Sequence, residues 1–304
     1  MSQNQAAAAS VPVMQPKKKK PLTISDITPY FYILPSLLLF CTFVFYPFFR
    51  TIYLSFHLTD ATGNVVKFYG ISNYTKVITS SKFATVMGVT WRFALTCVVG
   101  TLFISIICAL LANINYRGRA FARTCFALPM AVSSACIAVI VSFALHPTCG
   151  VINNLLGTNI KFTQDKDIAL WTVSAVSIWM HIGMNYIFLI AALQGVDTSL
   201  YEAADIEGVN FFQKHWHVTF PSISPTLFYL MVVNVTQSFQ AYAQINLLTG
   251  GGPGNSTRVI VYNIYEEAFR YGKYGSAAAQ SVILFAMIFI ITRIEFYVEK
   301  KVTY

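Results

Sequence analysis

Between Glu202 and Pro221 the chain reads EAADIEGVNFFQKHWHVTFP, a polar segment set between two long apolar stretches. Ala203 and Ala204 form a side-chain-poor step that another backbone can approach closely. Glu202 and Asp205 offer carboxylates to a basic partner, and Gly208 permits a left-handed turn. That chemistry is recognition, not bond-making, and Glu-Ala-Ala alone also suits an ordinary loop with one helical turn. A second polar set lies among apolar residues. Asn234, Gln237 and Gln244 recur at helical spacing, with Ala241 between them and Gln240 nearby, and Trp179, His181 and Asn185 make a similar mix upstream. Amides both donate and accept, so they pair with hydroxyl-rich solutes and equally with one another. Burying several of them unpaired in lipid costs a few kcal/mol each, so this face must look at protein or water.

Catalysis finds no residues to carry it. His57, His146, His181, His215 and His217 are not spaced with carboxylates for zinc or for general-base work. Cys41, Cys97, Cys108, Cys125, Cys136 and Cys149 are scattered, which is neither a disulfide framework nor metal spacing, and they read as packing residues. No Gly-x4-Gly-Lys occurs; Gly272-Lys273 lacks the upstream glycine, so the chain is not its own P-loop ATPase. No catalytic residue, metal or cofactor is expected on this chain. Energy for any work on a solute has to come from outside it.

The elements that must position these residues are membrane helices. Charged residues make up 11% of the chain against about a quarter in soluble domains, and mean hydropathy is +0.57. Charge-free runs at 27–49, 93–116, 124–145, 168–196, 222–248 and 274–292 are each long enough to cross a hydrocarbon core of roughly 30 Å as a helix. Helix is required because backbone groups cannot stay unpaired in lipid, and a barrel needs shorter alternating segments. The fold class is therefore all-α membrane protein, with six transmembrane helices over residues 27–304 behind a disordered tail, 1–26. No acidic residue falls inside any run, whereas ion-coupled carriers usually show carboxylates within the bilayer. The first run follows a polar tail and lacks a small-residue cleavage site, unlike a signal peptide.

Orientation comes from basic residues. Lys17–Lys20 precede the first run, Arg117, Arg119 and Arg123 crowd the second loop, and Arg293, Lys300 and Lys301 follow the last run. The positive-inside rule places these clusters, both termini and the 202–221 segment in the cytoplasm. Lys67, Lys76, Lys82, Lys161, Lys166, Arg258, Arg270 and Lys273 fall on the other side. The net charge of +9 thus reflects topology and lipid headgroups, which the Lys17–Lys20 run can also hold. No basic stripe interleaved with aromatics supports nucleic-acid binding.

Glu202-Ala203-Ala204, Gly208 four residues on, and then Val218, Phe220 and Pro221 resemble the EAA loop of ABC-importer permeases. That pattern is Glu-Ala-Ala, three residues, Gly, nine residues, then Ile-x-Leu-Pro; all spacings hold, with Val218 and Phe220 as apolar substitutes. Beyond the loop the chain is similar to the binding-protein-dependent carbohydrate-uptake subclass, of maltose and glycerol-phosphate type. Phe68-Tyr-Gly-Ile-Ser-Asn-Tyr74 matches its first external loop, and Leu248-Thr-Gly-Gly-Gly-Pro253 with Ser256-Thr257 matches its external turn. Tyr265, Phe269 and Gly275-Ser-Ala-Ala-Ala279 match the approach to its last helix, while Tyr242-Ala243 departs from an aspartate that the family often carries after an aromatic.

The resemblance implies a type I ABC importer permease in a prokaryotic inner membrane, with a cytoplasmic coupling loop at about 199–221. Glu202, Ala203, Ala204, Asp205, Gly208 and Pro221 would engage a separate ATPase dimer that holds ATP and Mg²⁺. Gly250, Gly251, Gly252 and Pro253 would face an extracytoplasmic solute-binding protein, and a second, different permease would complete the pathway. The solute implied is a sugar or oligosaccharide, with glycerol phosphate or another polyol ester as the alternative. Asn234, Gln237, Gln240 and Gln244, with Asn185 and Trp179, are the candidate solute contacts. A membrane enzyme or scaffold without transport is the remote alternative.

Overall fold

The computed structural model describes residues 24–302; the expected tail 1–26 lies almost wholly outside them. The described residues fall into two units that meet between Arg50 and Thr51. Helix α1 (Ile24–Phe40) runs through a π-helical turn, Cys41–Phe45, into α2 (Tyr46–Ser55), whose last five residues belong to the second unit. Residues 32–55 form one apolar helix long enough to span a bilayer.

In the second unit, β1 (His57–Thr59) and β2 (Val65–Phe68) make a small antiparallel hairpin that the all-helical expectation lacked. Asp60 closes its turn, the Oδ1 accepting from the Thr62 and Asn64 backbone N–H groups at 3.0 and 2.8 Å. Then follow α3 (Ser72–Ile78), α4 (Ser81–Asn113), α5 (Arg119–Ala127), α6 (Ser134–Ala144), α7 (Val151–Leu156) and α8 (Ala169–Gln194). After these come α9 (Thr198–Ile206), α10 (Phe211–Lys214), α11 (Phe220–Phe239), α12 (Ala243–Leu248), α13 (Ile260–Tyr265) and α14 (Tyr274–Val302).

Among the described residues five helices are long and apolar enough to cross a membrane, and there are six such spans if a bent pair counts as one. The bent pair takes up the expected span over 124–145, broken just after Pro129. Pro129 sits in a 3-10 turn, Leu128–Ala131, after which Val132 and Ser133 are extended. The two halves meet at 103°. Ser133 restarts the helix by capping it, its hydroxyl accepting from the Cys136 N–H at 3.3 Å. The second span begins at Ser81, twelve residues before the charge-free run, because an exposed Arg92 interrupts the apolar sequence without interrupting the helix. The last span continues past Thr292 to Val302 and takes in Glu295, which is only 6% exposed with both carboxylate oxygens unpartnered. The absence of acid from the runs therefore does not extend to the helix.

Two of the π-helical turns have a local cause. Pro47 and Pro221 each follow such a turn, Cys41–Phe45 and His215–Thr219. A proline ring collides with the carbonyl four residues back, at Phe43 and His217, and the widened turn moves that carbonyl aside. The core lies chiefly between α4 and α8, with α11 against α4 and α12 against α6. Close helix approach uses small residues. A Cβ on Gly183 would lie 3.0 Å from the Ala127 carbonyl of the 3-10 region, so that bend packs directly on α8.

Candidate functional site

The 198–214 segment is a helix, a turn and a short helix. Asp197 caps α9, accepting from the Ser199 N–H at 2.9 Å, and this bond holds its carboxyl below the usual carboxylate range. Just past the end of α9 stands Gly208, whose φ of +70° lies in the left-handed region with open space where its Cβ would be. The conformation, not crowding, demands glycine there. Asn210 and Gln213 then form a capping box that starts α10. Thr219, fully buried, ties the segment to α11 by meeting Tyr201 Oη at 3.1 Å and His215 Nδ1 at 2.9 Å.

The two alanines of this segment part company. Ala204 is buried, while Glu202 and Ala203 are exposed. Asp205 is already paired with Lys214, so its carboxylate is shared within the chain. What the motif alone did not mark is the apolar surface around the turn. Ile206 is 88% exposed and Phe212 82%, with Leu200, Phe211 and Trp216 also exposed. Apolar side chains this exposed on a polar, charge-rich segment make a recognition surface. Pro221 is exposed in the first turn of α11.

The amide stripe is split. Helix α11 stops at Phe239, and Gln240–Tyr242 break it before α12, so Gln240 and Gln244 do not continue the face of Asn234 and Gln237. Asn185 and Asn234 are buried and bonded to each other. Asn185 Nδ2 donates to Asn234 Oδ1 at 3.1 Å, and Asn234 Nδ2 donates back to Asn185 Oδ1 at 2.7 Å. Asn185 also donates to the His181 carbonyl at 2.9 Å. This reciprocal pair joins α8 to α11, so within the chain both side chains are consumed as interhelical glue. Gln244 is buried beside Met180, its Nε2 3.8 Å from the sulfur. Gln237 is half-buried, and Gln240 and Trp179 are exposed.

At Gly250–Pro253 the small residues serve the chain itself. A Cβ on Gly251, at φ +78°, would lie 2.6 Å from the Tyr262 ring, which fills the space left by the missing side chain. Thr257, fully buried, pins the turn by donating to the Gly252 carbonyl at 2.8 Å. Beneath it, buried Glu266 pairs with Arg258 and, at 3.0 Å, with Arg270. Gly250 is exposed and Gly252 and Pro253 are half-buried. Ala277, Ala278 and Ala279 are buried, which gives that small-residue run to packing inside the chain.

Residues 100–304 match the family described as binding-protein-dependent transport system inner membrane component. Among the similar proteins is the sn-glycerol-3-phosphate transport system permease protein UgpA of Agrobacterium fabrum, 33% identical over 285 residues, covering 92% of this chain and 97% of that protein. The protein of the same description from Escherichia coli is 32% identical over 290 residues, covering 94% and 98%. A chain of a bacterial alginate ABC transporter, solved in complex with alginate pentasaccharide-bound periplasmic protein, matches with a TM-score of 0.81 at 22% identity, covering 92% of this chain and 96% of its own.

Proposed function

The chain belongs to the family of binding-protein-dependent transport system inner membrane components, and from that premise we propose what it moves and how it is driven. It is a multi-pass membrane permease subunit of an ABC importer, not an enzyme, and hydrolysis of ATP belongs to a separate subunit. The solute in our reading is a small hydroxylated anion of the glycerol-phosphate class. The support is the name carried by relatives 32–34% identical over at least 92% of this chain. A sugar or oligosaccharide is the second reading, favoured by the exposed indole of Trp179 on α8 and the half-buried amide Gln237 on α11. Gln237 and Gln240 remain the solute-contact candidates, since Asn185 and Asn234 are occupied with each other.

Drive enters through the 198–214 segment. The observation that carries this is the exposed apolar surface around the Gly208 turn, flanked by exposed Glu202. A groove on an ATPase dimer holding ATP and Mg²⁺ receives that surface, with basic groups opposite Glu202. Closure of the dimer then rocks α11, to which Thr219 ties α9. Both termini and this segment are cytoplasmic. Gly250 and Pro253 face the binding protein from the opposite side, and a second, different permease supplies the other half of the route.

Reconstitution with its own ATPase, second permease and binding protein tests the reading. ATP-dependent accumulation of labelled glycerol 3-phosphate is the expected result. Accumulation of a neutral disaccharide, with glycerol 3-phosphate excluded, would replace it with the second reading.

A further inference from the structure

A cavity of about 420 Å³ lies among the first turns of α4 and α14, the α3 helix and the β1–β2 hairpin. By the order of the spans it opens on the face opposite the 198–214 turn. Three lysines line it, Lys76, Lys82 and Lys273, against a single carboxylate, Glu267. Lys82 reaches Glu267 at 3.5 Å, which leaves two cationic side chains without a carboxylate among the lining residues. Lys76 donates to Tyr69 Oη with its ammonium 4.8 Å from that ring's centroid, and the Lys273 ammonium lies 6.0 Å from the Tyr271 ring.

Two helix N-termini reinforce the charge. Helices α4 and α14 are 33 and 29 residues long, and neither has an acidic residue in its first turn. Ser80, at the N-cap of α4, makes no side-chain cap bond, and in the first turn of α14 the Gly275 N–H donates to Thr59 Oγ1 at 3.1 Å. The first turn of each helix lines the same space, Ser80, Lys82 and Phe83 from α4 and Gly275 and Ser276 from α14, so both contribute the partial positive charge of a helix N-terminus. Lysine side chains and converging helix N-termini are the donor set that holds oxyanions.

We infer that this cavity binds a phosphate-ester oxyanion, carried either by a small soluble phosphate ester or by the headgroup of an anionic phospholipid. The site does not depend on which solute is transported, and none of its residues is among the proposed pathway or coupling groups.

The test uses the assembled transporter, wild type and a Lys76→Gln/Lys273→Gln double variant. Both lysines are exposed, so the fold should survive their loss. In detergent free of anionic lipid, glycerol 3-phosphate binding is measured by titration calorimetry. In nanodiscs of mixed phosphatidylglycerol and phosphatidylcholine, co-retained lipid is counted by native mass spectrometry. Binding of the soluble ester that weakens about tenfold or more in the variant assigns the site to soluble esters. Retention of phosphatidylglycerol, lost in the variant, assigns it to lipid. The inference is overturned if neither probe binds, or if both bind equally to wild type and variant. It is also overturned if the variant alters only docking of the binding protein, which would make the lysines a protein contact. Because uptake is not the readout, failure here leaves the transport reading standing, and failure of that reading leaves this one standing.

Discussion

At the residue scale, the buried polar groups divide into those satisfied inside the chain and a few that are not, Glu295 among them. Asn185 and Asn234 satisfy each other, so replacing either by alanine leaves a buried amide unpaired. Each single substitution should lower stability by about 1–2 kcal/mol. The Asn185→Leu/Asn234→Leu double variant should lose less than the sum of the two singles, because no amide is then stranded. Unfolding titrations in mixed micelles check this, and additive losses would separate the two side chains. Glu295 is the opposite case. Its carboxylate oxygens have no hydrogen-bond partner, and an ionised carboxylate buried without one is costly. Glu295→Gln keeps the shape without the charge and should match or exceed the wild type in the same titration, whereas Glu295→Lys should prevent accumulation in the membrane. At Gly251, alanine meets both a left-handed φ and the Tyr262 ring, for a cost of about 2–4 kcal/mol. That role was hidden in the sequence, where Gly250–Gly252 reads as a surface turn open to another protein. Only the position of Tyr262, eleven residues further along, shows that the space is taken.

At the scale of elements, the 198–214 segment separates two substitutions by mechanism. Glu202→Lys reverses an exposed charge on α9 without touching a packed group, so insertion and assembly of the membrane helices should be normal while ATP-dependent uptake falls at least about tenfold, the effect of about 1.4 kcal/mol of lost docking. Gly208→Val has open space but the wrong φ. It should distort the turn and uncouple uptake while leaving the chain in the membrane. Wild-type transport by the Glu202→Lys protein would remove the coupling role. The motif itself was legible because its spacing is local and its glycine is demanded by backbone conformation. The spans were legible for a similar reason: a charge-free run of bilayer length has few other uses. Helix ends were not, because Arg92 and Arg293 stop a run of apolar residues but not a hydrogen-bonded helix. A proline such as Pro129 bends or starts a membrane helix, but nothing in its neighbours distinguishes a bend of 103° from a mild kink, so the size of the break at Val132–Ser133 was not legible. The stripe at 234–244 failed at Gln240–Tyr242, where a period of 3.6 was projected across residues that are not helical.

At the scale of the whole molecule, the chain carries too few polar groups to enclose a hydrated route alone. Of the amides once assigned to that route, Asn185 and Asn234 are used in joining α8 to α11 and Gln244 is buried, which leaves Gln237 and Gln240 as this subunit's contribution. Large apolar side chains such as Phe285, Phe289 and Ile290 on α14 stay exposed, available to lipid or to another membrane chain. A second permease with polar residues of its own would supply the missing wall, and a distinct partner allows the two walls to differ where a symmetric pair repeats the same sparse one. Purification from cells producing all subunits, followed by native mass measurement, should therefore find one copy of this 33.9 kDa chain with one copy of a different permease and two ATPase subunits. A transporting complex with two copies of this chain and no second permease would contradict the heterodimer. Within the expected assembly, Gln237→Ala should reduce uptake several-fold or shift solute preference while stimulation of ATP hydrolysis by loaded binding protein persists. That split places the residue on the route, because loss of an interhelical contact would instead lower assembly and both activities together.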